Sequence, residues 1–304
     1  MNLENLEIGR VVRMACDFQV RSGSVIGRDH TIAGRNNQDA CAVASNGEII
    51  VAVVCDGCSG KDQREGRHSE MGALLGAKLM SNLFFDYAEL WMKTVDGTDQ
   101  NTEVPFPYAE RIREDAIAYL RVLAKQMGKS MTAVVSNYFL FTTIVAVVTP
   151  WRAWVYAIGD GVFAVNGEFT EIGPFPENMP PYMAYGGLVG SSISPNLTVF
   201  QCQRSMATAD LESLMIGTDG VMDFHAAAEK NIPGKQELLG PVSQFWTQDK
   251  YMANPDQIRR TLVLANTERC IPDWDRHMTR KEIGLLHDDT TLVVIRRVSI
   301  QPGE

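Results

Sequence analysis

No run in this sequence stays apolar for the roughly 20 residues that a membrane-crossing helix needs, so a membrane protein is not expected. No long basic run is present either, and the formal net charge is −9. A nucleic-acid backbone needs a positive surface to displace its counterions, so nucleic acid is not an expected partner. The opening MNLENLEIGR lacks the basic-then-apolar pattern of a secretory leader, and a cytoplasmic protein is the expectation. The glycine-rich G-x-G-x-x-G turn and regular βαβ alternation are missing, which argues against a dinucleotide enzyme. Cysteine is sparse: six residues, at 16, 41, 55, 58, 202 and 270, are scattered through 304. In a reducing compartment they are expected as thiols, mostly in the core. No repeat, low-complexity block or linker divides the chain, so a single domain over 1–304 is expected.

What is present is an ordinary globular composition, 45% hydrophobic and 21% charged, with local patterns that change along the chain. Residues 11–20 look extended. The run IIVAVV (49–54) reads as a strand buried on both faces. Residues 66–92 switch to a helical period, with Met71, Leu75, Leu79 and Leu83 four apart. A polar loop at 94–107 and a second helix at 108–127 follow. Strands are expected at 138–149 and 152–158, then a hairpin turning on Asn166-Gly167. The segment 173–196 holds five prolines and is read as an irregular surface flap. Strands near 197–203 and 211–217, helices at 236–248 and 254–268, and a strand at 291–297 complete the chain. Grouped strands and grouped helices predict an α+β fold with largely antiparallel sheets.

Four short segments place an acid where an apolar run begins or ends: Asn37-Gln38-Asp39, Asp56-Gly57, Thr218-Asp219-Gly220 and His287-Asp288-Asp289. A lone Asp-Gly is a common turn. Four acids meeting at one sheet edge would repel one another and resist dehydration, and a hard cation such as Mg²⁺ or Mn²⁺ relieves both. The same stretch holds a rival reading, because Cys55 and Cys58 form a C-x-x-C. A zinc site needs further Cys or His pairs, and a thioredoxin-like motif opens a helix, so redox or zinc chemistry is disfavoured.

In order, these segments resemble the motifs of the metal-dependent protein serine/threonine phosphatases of type 2C. The family's N-x-D is matched by Asn37-Gln38-Asp39, and its D-G-H-G-G by Asp56-Gly57-Cys58-Ser59-Gly60. Its G-D motif and following hairpin glycine match Gly159-Asp160 and Gly167, its S-D-G-hydrophobic-x-D matches Thr218 to Asp223, and its D-N-x-T matches Asp288 to Thr291. The resemblance spans about residues 10 to 298, and its wording is closer to a divergent bacterial branch. It implies an αββα sandwich in which two central sheets are flanked by helices. It also implies hydrolysis of phosphoserine and phosphothreonine in proteins by a water activated between two divalent ions, Mn²⁺ or Mg²⁺, with a third ion in some members. Asp56 would bridge the ions, the Gly57 carbonyl would contact one, and Asp219 and Asp288 would hold the other. Asp39 would hold metal-bound water, and Asp160 reads as a structural turn cap.

Two departures follow. The family's proposed general acid, a His, is replaced by Cys58, a poor acid at ordinary thiol pKa. His30 and His68 lie in neighbouring motif segments, and His30 is the candidate catalytic substitute. The family's phosphate-binding Arg falls on Gly34, with Arg35 one residue nearer; in an extended strand that shift turns a side chain to the opposite face. Arg35 and Lys61 are the phosphate-binding candidates, with Arg64 and Arg67 beside Lys61. These losses leave an alternative: a catalytically weak relative of the same fold that binds phosphoprotein or a partner. Substrate identity and oligomeric state have no readable code.

Overall fold

The computed structural model describes residues 17–58, 68–94, 106–176, 179–186, 195–275 and 277–298. Its strands are β1 (Phe18–Val25), β2 (Asp39–Ser45), β3 (Ile50–Asp56), β4 (Thr143–Val148), β5 (Arg152–Ile158), β6 (Gly161–Val165), β7 (Glu168–Ile172), β8 (Gln201–Ala207), β9 (Ser213–Gly217), β10 (Arg269–Asp273), β11 (Met278–Glu282) and β12 (Thr290–Arg297). Its helices are α1 (Arg28–Ile32), α2 (Ser69–Thr94), α3 (Ala109–Met127), α4 (Met131–Tyr138), α5 (Val221–Ala226), α6 (Gln244–Thr247), α7 (Asp249–Ala253) and α8 (Gln257–Asn266).

Two five-stranded sheets run in the orders β1-β12-β9-β6-β7 and β2-β3-β4-β5-β8, with every pairing antiparallel. Alternate residues of β3 and β4 show why the IIVAVV run is continuous. Ile50, Ala52, Val54, Ile144 and Ala146 pack against Leu214, Ile216, Val293 and Ile295 of the other sheet. Val51, Val53, Cys55, Val145 and Val147 turn outward to a core shared with α2, α3 and α4. On the far side Phe224, Phe245, Tyr251, Ile258 and Leu262 cover Met215, Leu292 and Val294. The result is the α+β, αββα sandwich that the resemblance implied. Each such buried aromatic or aliphatic side chain stabilises the fold by about 1.5–3 kcal/mol. Among the described residues no helix is long and apolar enough to cross a membrane.

Several elements differ from the sequence expectation. Of 11–20, only residues from Phe18 onward lie in a described strand. The aromatic start of 138–149 is no strand: Tyr138 ends α4, and β4 begins at Thr143. Short apolar runs do not distinguish the two periods. The helix expected at 236–248 is reduced to α6, because Gly240 at φ +80° and then Pro241 break its first half. The charged hairpin β10–β11 had no hydrophobic alternation to announce it. The Asn166-Gly167 hairpin is present, with φ of 50° and 87° at the turn. Most of the expected loop at 94–107 lies outside the described residues.

Helix α2 forms where expected, but its most buried face is not the leucine stripe. Met71, Leu74 and Leu75 are exposed, whereas Gly72, Ala73, Gly76, Ala77, Met80 and Phe84 are buried. The small residues let the helix approach α4 and Phe141 closely. A Cβ on Gly72 would sit 1.7 Å from the Tyr138 carbonyl oxygen. Gly72→Ala is therefore expected to destabilise the fold by about 1–3 kcal/mol or more, read as a shifted urea midpoint. An unchanged midpoint would show that α2 can move away freely.

Candidate functional site

The antiparallel register sets Asp39, at the start of β2, directly opposite Asp56, at the end of β3. Thr218 and Asp219 follow β9, Asp288 precedes β12, and Asp160 lies between β5 and β6. The two sheets are tied together at this end. The Thr218 hydroxyl, from one sheet, donates to Asp39 Oδ2, on the other, at 2.7 Å. Asp56 and Asp219, also from opposite sheets, lie within hydrogen-bonding reach of each other.

The site is crowded with carboxyl groups. Asp56 is held well above the usual carboxylate range, first by desolvation and then by the charges of Asp219, Asp39, Asp288 and Asp160. Desolvation also lifts Asp39, opposed by the Thr218 hydrogen bond. Asp219 is pushed up to about 7 by desolvation, Asp160 and Asp288. Asp160 rises to about 6 by desolvation. Asp288 is raised as well, again first by desolvation. Among the described residues none of Asp39, Asp56, Asp160 and Asp219 is ion-paired with Lys or Arg. Asp160, read from sequence as a turn cap, thus belongs electrostatically to the cluster.

A second shell of contacts fixes the loops that carry these acids. Asp289, 2% exposed, accepts from the Gly27 backbone N–H through Oδ1 at 2.6 Å and from the Gln38 N–H through Oδ2 at 2.5 Å. Gln38 immediately precedes Asp39, so a carboxylate of one sheet clamps the strand start of the other. Asp223 Oδ2 accepts from the N–H groups of His287 and Asp288, at 2.6 and 3.0 Å. Gly220 allows this loop to close, since a Cβ there would lie 1.9 Å from the Asp289 carbonyl oxygen. None of these contacts could be read from local spacing, because each joins residues far apart in the chain or depends on a backbone approach.

The other expected residues are placed as follows. Gly57 packs tightly: its N–H donates to the Gln38 carbonyl at 3.0 Å, and a Cβ would meet the Gln38 and Ser69 carbonyl oxygens at 2.8 Å. His30, on α1, sets Nδ1 2.9 Å from Asp289 Oδ2 and 3.9 Å from Asp288 Oδ1. Its pKa is raised, chiefly by the adjacent Asp289 carboxylate. Among the described residues, His30, Asp288 and Asp289 are metal-ligand-type side chains whose ligand atoms all fall within 4.8 Å of one another. The expected trio of Asp56, Asp219 and Asp288 is not gathered that closely. Arg35 does not sit in an extended strand. It follows Gly34, at φ +66°, in the loop after α1, and its N–H donates to the His30 carbonyl at 2.9 Å. Lys61, Arg64 and Arg67 lie outside the described residues. His68 stacks on Tyr138 and faces Glu70 at 3.4 Å. Cys55 is fully buried, faces the Thr143 hydroxyl at 3.5 Å, and burial pushes its thiol up to about 12. Tyr182, missed in the sequence, sets its hydroxyl beside the Cys58 thiol near Asp56. Within 173–196, residues 180–184 are buried rather than exposed.

Residues 26–262 match the family model of protein phosphatase 2C. The chain belongs to the protein phosphatase 2C family. Its structure resembles the serine-threonine phosphatase 2C of Toxoplasma gondii, with 13% identity, a TM-score of 0.53, and coverage of 92% of this chain and 95% of that one. It also resembles a serine/threonine phosphatase of Staphylococcus aureus, with 14% identity, a TM-score of 0.44, and coverage of 92% and 95%. At these identities the likeness is one of fold. No curated protein sequence matches the chain.

Proposed function

We propose that this phosphatase 2C chain hydrolyses phosphoserine and phosphothreonine in protein substrates. Asp56, the Gly57 carbonyl, Asp219 and Asp288 would hold two divalent cations, Mn²⁺ or Mg²⁺. The observation that supports this most directly is the approach of Asp56 to Asp219 amid the charges of Asp39, Asp160 and Asp288. Carboxylates this close to one another, with raised pKa values, fit hard cations through an all-oxygen donor set. When bound, such ions lower the pKa of water toward neutrality and offset charge on phosphoryl oxygens.

The chain's own residues supply the rest. Thr218 orients Asp39 through Oδ2, leaving Oδ1 to accept from water. Arg35, on the His30 side of the site, and Lys61, in the segment after the Asp56 loop, are proposed to pair with phosphoryl oxygens. Retention of the family's ligand acids favours an enzyme over a degenerate binding module. A phosphorylated protein partner and a cytoplasmic signalling role accompany this reading, with 173–196 as a segment that meets substrate.

The test is hydrolysis of p-nitrophenyl phosphate and a phosphothreonine peptide in EDTA, Mg²⁺ and Mn²⁺. Activity that requires an ion supports the proposal. Equal activity in EDTA would defeat it. The C-x-x-C is expected to be dispensable: Cys58→Ser should keep turnover within about 3-fold, since neither cysteine holds an ion or a reacting atom in this reading and Cys55 is fully buried against Thr143. A loss of activity in that variant would return the thiol to the chemistry.

A further inference from the structure

His30 and Asp289 are the least expected pair at this site. The resemblance puts an Asn at position 289, and no fixed spacing links it to His30. Yet Asp289 is 2% exposed, accepts from two backbone donors, Gly27 N–H and Gln38 N–H, and has the His30 imidazole Nδ1 2.9 Å from its Oδ2, at ion-pairing distance. Helix α1, which carries His30, is docked on the same loop. Its Arg28 and Asp29 N–H groups donate to the Leu286 and His287 carbonyls at 2.9 and 3.1 Å. The Asp289 N–H in turn donates to Asp288 Oδ1 at 2.8 Å, an oxygen 3.9 Å from His30 Nδ1. One imidazole therefore faces both the proposed ligand Asp288 and the carboxylate that fixes Gln38 beside Asp39.

We propose that His30 and Asp289 form a positioning pair that sets the affinity of the Asp288 side of the site for a divalent cation. This inference rests on the metal-dependent reading above. It recasts His30 from a candidate proton donor to a residue that acts through Asp289 and Asp288. Asp289 is poorly suited to bind an ion itself, since both its oxygens already accept backbone N–H groups. Groups that orient ligands from outside the coordination sphere characteristically change metal affinity about 10–100-fold.

The contact uses Nδ1, and that makes it separable from proton transfer. An Asn amide nitrogen can occupy the place of imidazole Nδ1, whereas a Gln amide reaches toward Nε2 and leaves Nδ1 unreplaced. Mn²⁺ binding to the full chain would be measured by calorimetry for wild type, His30→Asn and His30→Gln, with turnover titrated against Mn²⁺ in parallel. Expected are Mn²⁺ affinity within about 3-fold of wild type for His30→Asn and at least about 10-fold weaker for His30→Gln. Turnover at saturating Mn²⁺ should be retained by both. Equal affinity across the three proteins, or equal weakening in both variants, would overturn the inference. So would unchanged affinity with turnover lost at saturating ion, which would restore His30 as a proton donor. A wild-type chain that binds no Mn²⁺ would defeat the metal reading itself, and this inference with it.

Discussion

Asp56→Asn should abolish the proposed ion-dependent hydrolysis: turnover of a phosphothreonine peptide is expected to fall by about 10³-fold or more. The substitution is isosteric and sits at the end of β3, whose register with β2 depends on backbone contacts, so the fold should persist. Thermal melts give the discriminating second readout. In the folded chain Asp56 is raised above the ordinary carboxylate range by desolvation and then by four neighbouring acids. A carboxyl whose folded pKa is raised favours folding while protonated, and that contribution is lost as pH rises through and beyond the ordinary carboxylate range. The neutral amide carries no such penalty. In EDTA at neutral pH Asp56→Asn should therefore melt no lower than wild type, and any advantage should shrink toward acid pH. Mn²⁺ should raise the melting point of wild type and not of the variant. Full hydrolysis by Asp56→Asn would remove the central ligand from the proposal. A variant destabilised in EDTA would show that Asp56 contributes packing rather than repulsion.

Asp289→Ala is expected to be the most damaging single change to the scaffold of the site. It strips the acceptor from the Gly27 and Gln38 N–H groups and leaves His30 facing a void beside Asp288. Removing one partner from a buried, hydrogen-bonded charged group costs about 3–5 kcal/mol, because the remaining donors stay buried without compensation. Urea unfolding in EDTA would register this apart from any ion effect. Asp289→Asn should be milder, since its amide oxygen still accepts one N–H. A loss below about 1 kcal/mol for Asp289→Ala would mean that water replaces the carboxylate.

The acids of the site were legible because each sits where a pattern changes. Asp56 ends the IIVAVV run, Asp219 follows an apolar strand, and Asp288 precedes one, so chemistry and secondary structure shared a boundary. The layered architecture was legible for a related reason: β3 and β4 are apolar at every position because both their faces are covered. Other features were hidden by their physics. Helix α2 buries glycine and alanine because close approach, rather than leucine, makes its contact, and hydropathy cannot show an approach distance. Asp160 looked like a turn residue because its effect is electrostatic and acts across the sheet. Asp289 resembled a neutral Asn until His30, some 250 residues away in sequence, was seen beside it. Arg35 was judged as part of a strand, while Gly34 turns the chain into a loop.

The position of β12 has a consequence for how the protein is made. It lies between β1 and β9, pairing along its length with the earliest described strand. Asp288 and Asp289 sit just ahead of it, while Asp39 and Asp56 belong to the first quarter of the sequence. A nascent chain emerging from the ribosome therefore lacks Asp288 until nearly all of these residues are made, with β1 and β9 lacking their common neighbour. The loop closed by this pairing is nearly the whole chain, the kind of contact that forms late and slowly. Premature termination or proteolytic trimming ahead of residue 288 would yield a fragment without Asp288, one of the proposed ligands. On the proposed reading, activity would arise as a single late event, once β12 is in place.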